Sequence, residues 1–139
     1  KIEVNSVETT LKLKNSSGRY RKFSLITYLH QIQIESVLCK HWNQIRAYAY
    51  AYHDKDTKED GTPKEPHTHL IIVTHCTCTL SAVRRWFDGF VKDGKPVTTT
   101  AQKMTDEYEM YEYLIHNTRT AIAENKYQYD PKIRQSNNH

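Results

Sequence analysis

The sequence has few of the features that define secreted or membrane proteins. It contains only three cysteines in 139 residues, and this low, odd number argues against a secreted fold held by disulfide bonds. It has no signal-peptide pattern and no apolar run long enough to cross a bilayer. We therefore expect a protein of the reducing cytoplasm that has no membrane partner.

The chain also lacks internal repeats, low-complexity tracts and any linker that would divide it. Its length is that of one domain with a single hydrophobic core. Residues 1–18 are polar and end in a turn-like stretch, so we expect an extension or an edge element there, a domain over 19–131 and a tail over 132–139. The chain begins with Lys and not with Met, which is consistent with a fragment of a longer protein.

Charge and aromatic content leave room for a nucleic-acid partner. Twenty Lys and Arg residues against sixteen Asp and Glu give a net charge of +4, which permits a polyanionic partner without establishing one. Ten tyrosines accompany only three phenylalanines and two tryptophans. A tyrosine ring suits a half-buried surface and can also stack on a base.

Hydrophobic periodicity predicts an α+β domain. The predicted strands cover residues 19–29, 46–53, 67–73 and 97–103. The predicted helices cover residues 32–42, 81–91 and 105–117, the last with Thr105 as its N-cap. Because neighbouring strands on short connections pair antiparallel, we expect an antiparallel sheet with helices packed against it, of ferredoxin-like type.

Histidines at the meeting ends of the second and third strands form a candidate metal site. His67 and His69 are two residues apart and share one face of a strand. His53 ends the preceding strand on its alanine-lined face, so a hairpin would bring it opposite this pair, with Asp56 in the turn. Three imidazoles and one carboxylate suit Mn²⁺, Co²⁺ or Zn²⁺ and, less well, Mg²⁺, and such an ion can polarise a phosphoryl oxygen.

A zinc site that joins these histidines to His75, Cys76 and Cys78 is a competing arrangement. His75 lies six residues beyond His69, which is roughly 20 Å along an extended strand. The zinc pattern of nucleobase deaminases is absent as well. We therefore expect the two cysteines to be half-buried residues at a strand end.

One tyrosine of the last predicted helix differs from the others. A helical wheel gathers one apolar sector that we expect in the core, namely Tyr108, Met110, Tyr111, Leu114 and Ile115. Tyr113 falls outside that sector, beside Glu109 and near His116. Next to a metal site its phenolate could attack a phosphodiester and form a covalent 5′-phosphotyrosine.

Three stretches together resemble the HUH endonucleases and, among them, the single-tyrosine initiators of rolling-circle plasmids of the RepB type. They are residues 53–56 (His-Asp-Lys-Asp), 66–70 (Pro-His-Thr-His-Leu) and 110–116 (Met-Tyr-Glu-Tyr-Leu-Ile-His), and residues 121–123 and 129–130 add a fourth likeness. The resemblance implies a central five-stranded antiparallel sheet flanked by helices, the ferredoxin/RRM-like HUH fold. It implies His53, Asp56, His67 and His69 as metal ligands. It also implies that Tyr113, directly before Leu-x-His, is the nucleophile.

The resemblance further implies a function, which is metal-dependent nicking and joining of one DNA strand at the hairpin origin of a bacterial plasmid. We expect Mn²⁺ as the cofactor, DNA as the partner and host replication proteins as further partners. Family members usually carry a C-terminal oligomerisation domain, so a homo-oligomer would form through a region outside these residues. Thr68 departs from the bulky residue often found between the two histidines, and we expect it to affect packing more than chemistry.

Surface cations are the candidate DNA contacts, because they give salt-dependent, largely sequence-blind affinity. They are Arg19, Arg21, Lys22, Arg84, Arg85, Lys103, Arg119 and Lys126. Two alternative functions stay open. One is a relaxase or transposase of the same superfamily, and the other is a non-enzymatic module that stacks bases on Tyr48, Tyr50 and Tyr52 and holds a structural metal.

Overall fold

A five-stranded antiparallel sheet forms the centre of the computed structural model, which describes residues 18–137. Side by side, its strands are β6 (Thr99–Lys103), β1 (Arg19–Thr27), β3 (His67–Thr79), β2 (Ile45–His53) and β7 (Gln135–Ser136). The predicted fold class is therefore confirmed. The predicted N-terminal extension lies outside the described residues, except for Gly18.

Short helices and one small hairpin surround the sheet. The helices are α1 (Gln31–Lys40), α2 (Leu80–Arg85), α3 (Glu107–Tyr113) and α4 (Arg119–Ala123), and a 3-10 turn covers Pro131–Ile133. The hairpin pairs β4 (Val91–Lys92) with β5 (Lys95–Pro96). Within residues 18–137, no helix is long and apolar enough to span a bilayer.

Each face of the sheet covers its own hydrophobic core, because successive side chains of a strand point to opposite faces. The larger core packs on α1 and α2 and includes Phe23, Leu25, Ile34, Leu70, Ile72 and Phe87. The smaller core lies under α3 and includes Ala47, Ala49, Ala51, Ile71, Val73, Met104 and Leu114. The three alanines of β2 fill little volume, and this leaves space near the sheet surface beside α3.

The helix predicted over residues 81–91 is too long. It ends at Arg85, and the chain then turns so that Phe87 is fully buried. Asp93 and Gly94, read as the end of that helix, instead form the turn of the β4–β5 hairpin. Both have positive φ values, 53° and 76°, which is the conformation that tight two-residue hairpin turns require.

Helix α3 is shorter than predicted at both ends. Its N-cap is Asp106 and not Thr105, because the Asp106 carboxylate accepts hydrogen bonds from the N–H groups of Tyr108 and Glu109 at 3.0 and 3.1 Å. At the other end His116 adopts a φ of 62°. Its N–H donates to the Tyr113 carbonyl and closes the helix there.

The C-terminal part of the chain contributes to the sheet. Sequence patterns predict a tail over residues 132–139, yet Gln135 pairs with Tyr50, and Ser136 pairs with Ala49 at the edge of β2. The third strand is also longer than predicted, since it continues from Val73 to Thr79. The fifth strand of the sheet therefore comes from a two-residue segment that has no periodicity to detect.

We expect Phe87→Ala to lower the free energy of unfolding by about 3–5 kcal/mol, because it opens a cavity in the larger core. The measurement is urea denaturation, read as a lower midpoint at unchanged slope. Val91→Ala is the matched control, since Val91 is 61% exposed, and it should change the free energy by less than about 0.5 kcal/mol. A loss at Phe87 no larger than that of the control would contradict this account of the core.

Candidate active site

The pairing of β2 with β3 brings the predicted histidines together. In its register His53 lies opposite His67, and Ala51 lies opposite His69. All three imidazoles therefore project from the same face of the sheet. Asp56 follows β2 in the connecting loop, where its carbonyl accepts a hydrogen bond from the Lys64 N–H at 2.9 Å.

Four side chains converge at this end of the sheet. One donor atom each from His53, Asp56, His67 and His69 lies within 4.8 Å of all the others. The Asp56 Oδ2 atom is 3.3 Å from Nδ1 of His53 and 3.2 Å from Nε2 of His67. Because atoms that bind one ion at about 2.0–2.2 Å lie up to about 4.4 Å apart, a small inward movement would complete a metal site.

Backbone carbonyls select which imidazole nitrogens can bind an ion. Nε2 of His53 donates to the Leu114 carbonyl at 2.6 Å. Nδ1 of His67 donates to the Glu65 carbonyl at 2.9 Å. These bonds leave lone pairs on Nδ1 of His53 and Nε2 of His67, the two atoms that face Asp56, and they fix the rings as outer-shell partners of metal ligands do.

The donor set fits a divalent cation. Nδ1 of His53 and Nδ1 of His69 are buried without a hydrogen-bond partner, which costs free energy unless a cation satisfies them. Burial lowers the pKa of His69 to about 3, so this imidazole is neutral and can donate its lone pair at neutral pH.

Asp56 carries the negative charge of the site. Burial favours its protonated form, but the adjacent imidazoles of His53 and His67 and the hydroxyl of Tyr129 outweigh burial and hold the pKa of the carboxyl well below its usual value. The hydrogen bond to Asp56 in turn raises the pKa of His67. A cation that binds beside Asp56 would therefore compete with a proton for Nε2 of His67.

The competing cysteine site does not form. Cys76 is exposed, and Cys78 is a half-buried side chain packed against the larger core. Among residues 18–137, the group of metal-binding side chains close enough to hold an ion is the one around Asp56.

Tyr113 lies beside this group. Its half-buried ring is 5.9 Å from the ring of His69 and 5.3 Å from that of His116, between centroids. It lines a cleft of about 500 Å³ together with Asp56, His67 and His69. Of the described tyrosines on α3, Tyr113 is therefore the one that shares a cavity with the candidate metal ligands.

The prediction that Tyr108 lies in the core is wrong. Tyr108 is 74% exposed, whereas Met110 and Tyr111 pack against the smaller core as predicted. Tyr108 lies in the first turn of α3, over alanines of β2, and a cavity of about 380 Å³ remains there. The helical wheel predicts the direction of the Tyr108 side chain, but it does not show that the alanine side chains facing it are small.

His116 is held next to Tyr113 by strained backbone. Its left-handed conformation costs a non-glycine residue roughly 1–3 kcal/mol, and its side chain is 2% exposed. Nδ1 of His116 donates to the Tyr127 carbonyl at 2.8 Å, so the lone pair of the neutral ring is on Nε2. Burial lowers the pKa of His116.

Tyr129 organises the site, although no periodic pattern in the sequence assigns it this position. Its hydroxyl donates to Oδ1 of Asp56 at 2.6 Å and accepts from the Lys55 N–H at 3.0 Å. Its ring is stacked on His53, with centroids 4.4 Å apart. Its N–H donates to the Ile115 carbonyl at 3.2 Å, so this residue joins the metal-ligand loop to the end of α3.

Of the predicted DNA-contacting cations, Lys126 lines the cleft. Several others lie at the far half of the sheet and bond within the protein: Arg19 to Thr77, Arg21 to the His75 carbonyl, and Lys22 to the Thr105 carbonyl. Arg84 and Arg85 end α2, Lys103 lies over the ring of Tyr20, and Arg119 begins α4. Lys58 and Lys64, which the prediction omitted, line the same cleft as Lys126.

The predicted row of base-stacking tyrosines on β2 is not available as a platform. Tyr50 is 3% exposed, and its hydroxyl donates to Glu35 of α1. Tyr48 is partly buried against the larger core, while Tyr52 is 54% exposed. Helix α1 therefore covers the part of this face that the non-enzymatic alternative requires.

A family model described as plasmid replication protein, origin binding domain, matches residues 15–138. A comparison with curated proteins gives no match.

We expect Tyr129→Phe to weaken Mn²⁺ binding by about 10- to 100-fold, because an outer-shell partner that fixes a ligand contributes affinity of this size. The substitution removes the hydroxyl that holds Asp56 and keeps the ring that stacks on His53. The measurement is titration calorimetry with Mn²⁺.

Tyr127→Phe is the matched control, because Tyr127 is 46% exposed and its ring, which the substitution keeps, meets that of Tyr129 edge-on. Metal-free thermal unfolding of both variants separates lost affinity from lost stability. Equal Mn²⁺ affinity in the two variants would contradict the role given to the Tyr129 hydroxyl.

Proposed function

Since this chain belongs to the family of plasmid replication origin binding domains, we propose that it nicks and rejoins one DNA strand at a plasmid origin in a metal-dependent, site-specific reaction. Membership confirms the resemblance to the rolling-circle initiators and makes origin DNA the partner. The family's description names plasmid replication, which favours an initiator over a relaxase or a transposase. The nicking chemistry, the metal and the residue roles are the proposal.

One observation carries the proposal. The phenol of Tyr113, the imidazoles of His67 and His69 and the carboxylate of Asp56 line one cleft, and the ring of Tyr113 is 5.9 Å from that of His69. A nucleophile next to a site that can neutralise phosphoryl charge is the arrangement that phosphodiester transfer requires. Tyr108 is far more exposed and lies outside this cleft, so it does not meet the same requirement.

His53, Asp56, His67 and His69 would hold the divalent ion through the donor atoms described above. When bound there, such an ion supplies Lewis-acid polarisation of a non-bridging phosphoryl oxygen. Mn²⁺ is the expected ion, because the donor set mixes imidazole and carboxylate, and Co²⁺, Zn²⁺ and Mg²⁺ are the alternatives.

Tyr113 performs the covalent step. Its phenolic oxygen forms a bond to the phosphorus, the bond from phosphorus to the 3′ oxygen breaks, and the upstream strand leaves as a 3′-hydroxyl. The phenolic proton is lost to the surroundings and one proton is gained by the leaving oxygen, so the step balances without a co-reactant. The 5′-phosphotyrosine keeps the energy of the phosphodiester, and attack by a 3′-hydroxyl rejoins the strand.

Three lysines give the cleft the charge to hold the strand. Lys58 and Lys64 come from the β2–β3 loop and Lys126 from the segment after α4, and all three line the cavity that contains Tyr113. Ammonium groups that converge from two segments can contact phosphates on both sides of the reacting one. Lys126 has a partner at present, Glu124, at 3.8 Å.

We expect Tyr113→Phe to abolish formation of a covalent protein–DNA adduct, because it removes the attacking oxygen. The parent protein should form this adduct with a randomised single-stranded oligonucleotide pool and Mn²⁺, and lose it with a chelator. The measurement is a denaturing gel followed by mass spectrometry of the linked peptide.

Tyr111→Phe and Tyr108→Phe are the matched controls on the same helix, and both should keep the adduct. An adduct mapped to either of them would keep the enzyme and overturn the choice of nucleophile. Absence of any adduct, while Mn²⁺ binds, would overturn the nicking proposal itself.

We expect Lys64→Gln and Lys126→Gln each to weaken binding of single-stranded DNA uniformly across sequences. Each should also reduce the slope of log affinity against log salt by about 0.7, the value for one lost phosphate contact on a single strand. Fluorescence anisotropy over a series of salt concentrations measures both quantities. Arg84→Gln is the comparison variant, because Arg84 lies outside the cleft. An equal effect of this substitution would contradict the proposal that the DNA strand runs through the cleft.

A further inference from the structure

A second cavity lies at the same end of the sheet, on the opposite face. It measures about 390 Å³ and is lined by Tyr28, Tyr52, Thr68 and Lys92, among others. This volume is within the range of small-molecule sites, about 300–1,000 Å³. None of the candidate metal ligands except His67 lines it.

The cavity adjoins the cleft that contains Tyr113. Tyr28, Glu65 and His67 line both spaces. Tyr28 directly follows β1, whose last residue, Thr27, pairs with Thr68, so its ring stands at the very end of the sheet. Its centroid is 6.2 Å from that of His67, with an edge-on orientation. The end of the sheet, at Tyr28, is therefore where a strand held in the cleft would lie nearest to this cavity.

The lining matches a flat aromatic ligand with polar edges. Tyr28 and Tyr52 are 40% and 54% exposed, so each presents apolar ring surface that a stacking partner would cover. Glu65 offers acceptors, and exposed Lys92 of the small hairpin offers a cation for a neighbouring phosphate. Aromatic stacking with adjacent positive charge is how proteins bind the bases of single-stranded nucleic acid.

We propose that this cavity, lined by Tyr28, Tyr52 and Lys92, binds a nucleobase of the DNA strand next to the phosphate held in the cleft. This inference rests on the proposed function, which identifies the bound strand as DNA. It adds the location at which one base of that strand is selected. Thr68 determines the space available, because it lines the cavity and is 4% exposed. A larger side chain at this position would fill the cavity from within and leave His67 and His69 on the other face.

The test uses the Tyr113→Phe protein with Mn²⁺, so that binding is read without cleavage. A randomised single-stranded pool is selected for binding and sequenced, and the enriched oligonucleotide is then resynthesised with an abasic site at each position in turn. We expect one position, or two adjacent ones, at which loss of the base weakens binding about 5- to 150-fold, the range for one stacked base.

Tyr52→Ala should weaken binding of the enriched oligonucleotide by a similar factor and remove the preference at that position. On the oligonucleotide that lacks the base at that position, Tyr52→Ala should not weaken binding further, because the stacking contact is already lost. Tyr52→Phe keeps the ring and should keep the preference. Thr68→Leu should remove the preference while Mn²⁺ affinity stays at the parent value. Tyr108→Ala, an exposed tyrosine of α3 outside both cavities, is the matched control and should bind as the parent does.

Two results would overturn the proposal. One is a pool in which no base is enriched at any position, and the other is an enriched base whose preference survives both Tyr52→Ala and Thr68→Leu. Neither depends on the nicking reaction. Failure of the nickase proposal is recorded separately, as absence of the Tyr113 adduct in the parent protein.

Discussion

Antiparallel pairing of β2 with β3 sets His53 opposite His67 and Ala51 opposite His69, and the candidate site depends on this register. A slip by one residue would move every side chain of one strand to the other face, and three imidazoles could no longer converge. Two different cores fix the register. Bulky residues such as Leu70 and Ile72 fill one face, and the alanines of β2 leave the space under α3 on the other.

The ligands are rigid because segments distant in sequence hold them. The Leu114 carbonyl, at the end of α3, fixes the ring of His53, and the Tyr129 hydroxyl fixes the carboxylate of Asp56. The same end of α3 carries Tyr113, so the candidate nucleophile and the metal ligands share one support. Strain at His116 is tolerated because its imidazole is buried and bonded to the Tyr127 carbonyl. Preorganisation of this kind is what a transferring phosphoryl group requires.

Alternation along strands was enough to predict the sheet and the meeting of His53 with His67 and His69. Asp56 followed from its position three residues after His53, in the loop between β2 and β3. The resemblance included residues 129–130, but the contact of Tyr129 with Asp56 could not be predicted, because Tyr129 lies in an irregular segment whose position depends on tertiary contacts. Two-residue strands such as Gln135–Ser136 are too short to show the alternation of polar and apolar residues that predicts a strand. The exposure of Tyr108 was missed because a helical wheel shows the direction of a side chain but not the small volume of the alanine side chains beneath the helix.

Because successive side chains of a strand point to opposite faces, residues that are neighbours in sequence can serve two different roles. Tyr52 precedes His53, and Thr68 lies between His67 and His69, so each of these neighbours faces away from the metal ligands. Side chains on the second face can change size or ring character without moving the ligands, because the backbone register stays the same. The proposed nicking chemistry, which is common to all origins, is thereby confined to one face. The proposed base cavity uses positions that are adjacent to the candidate ligands in sequence but face away from them.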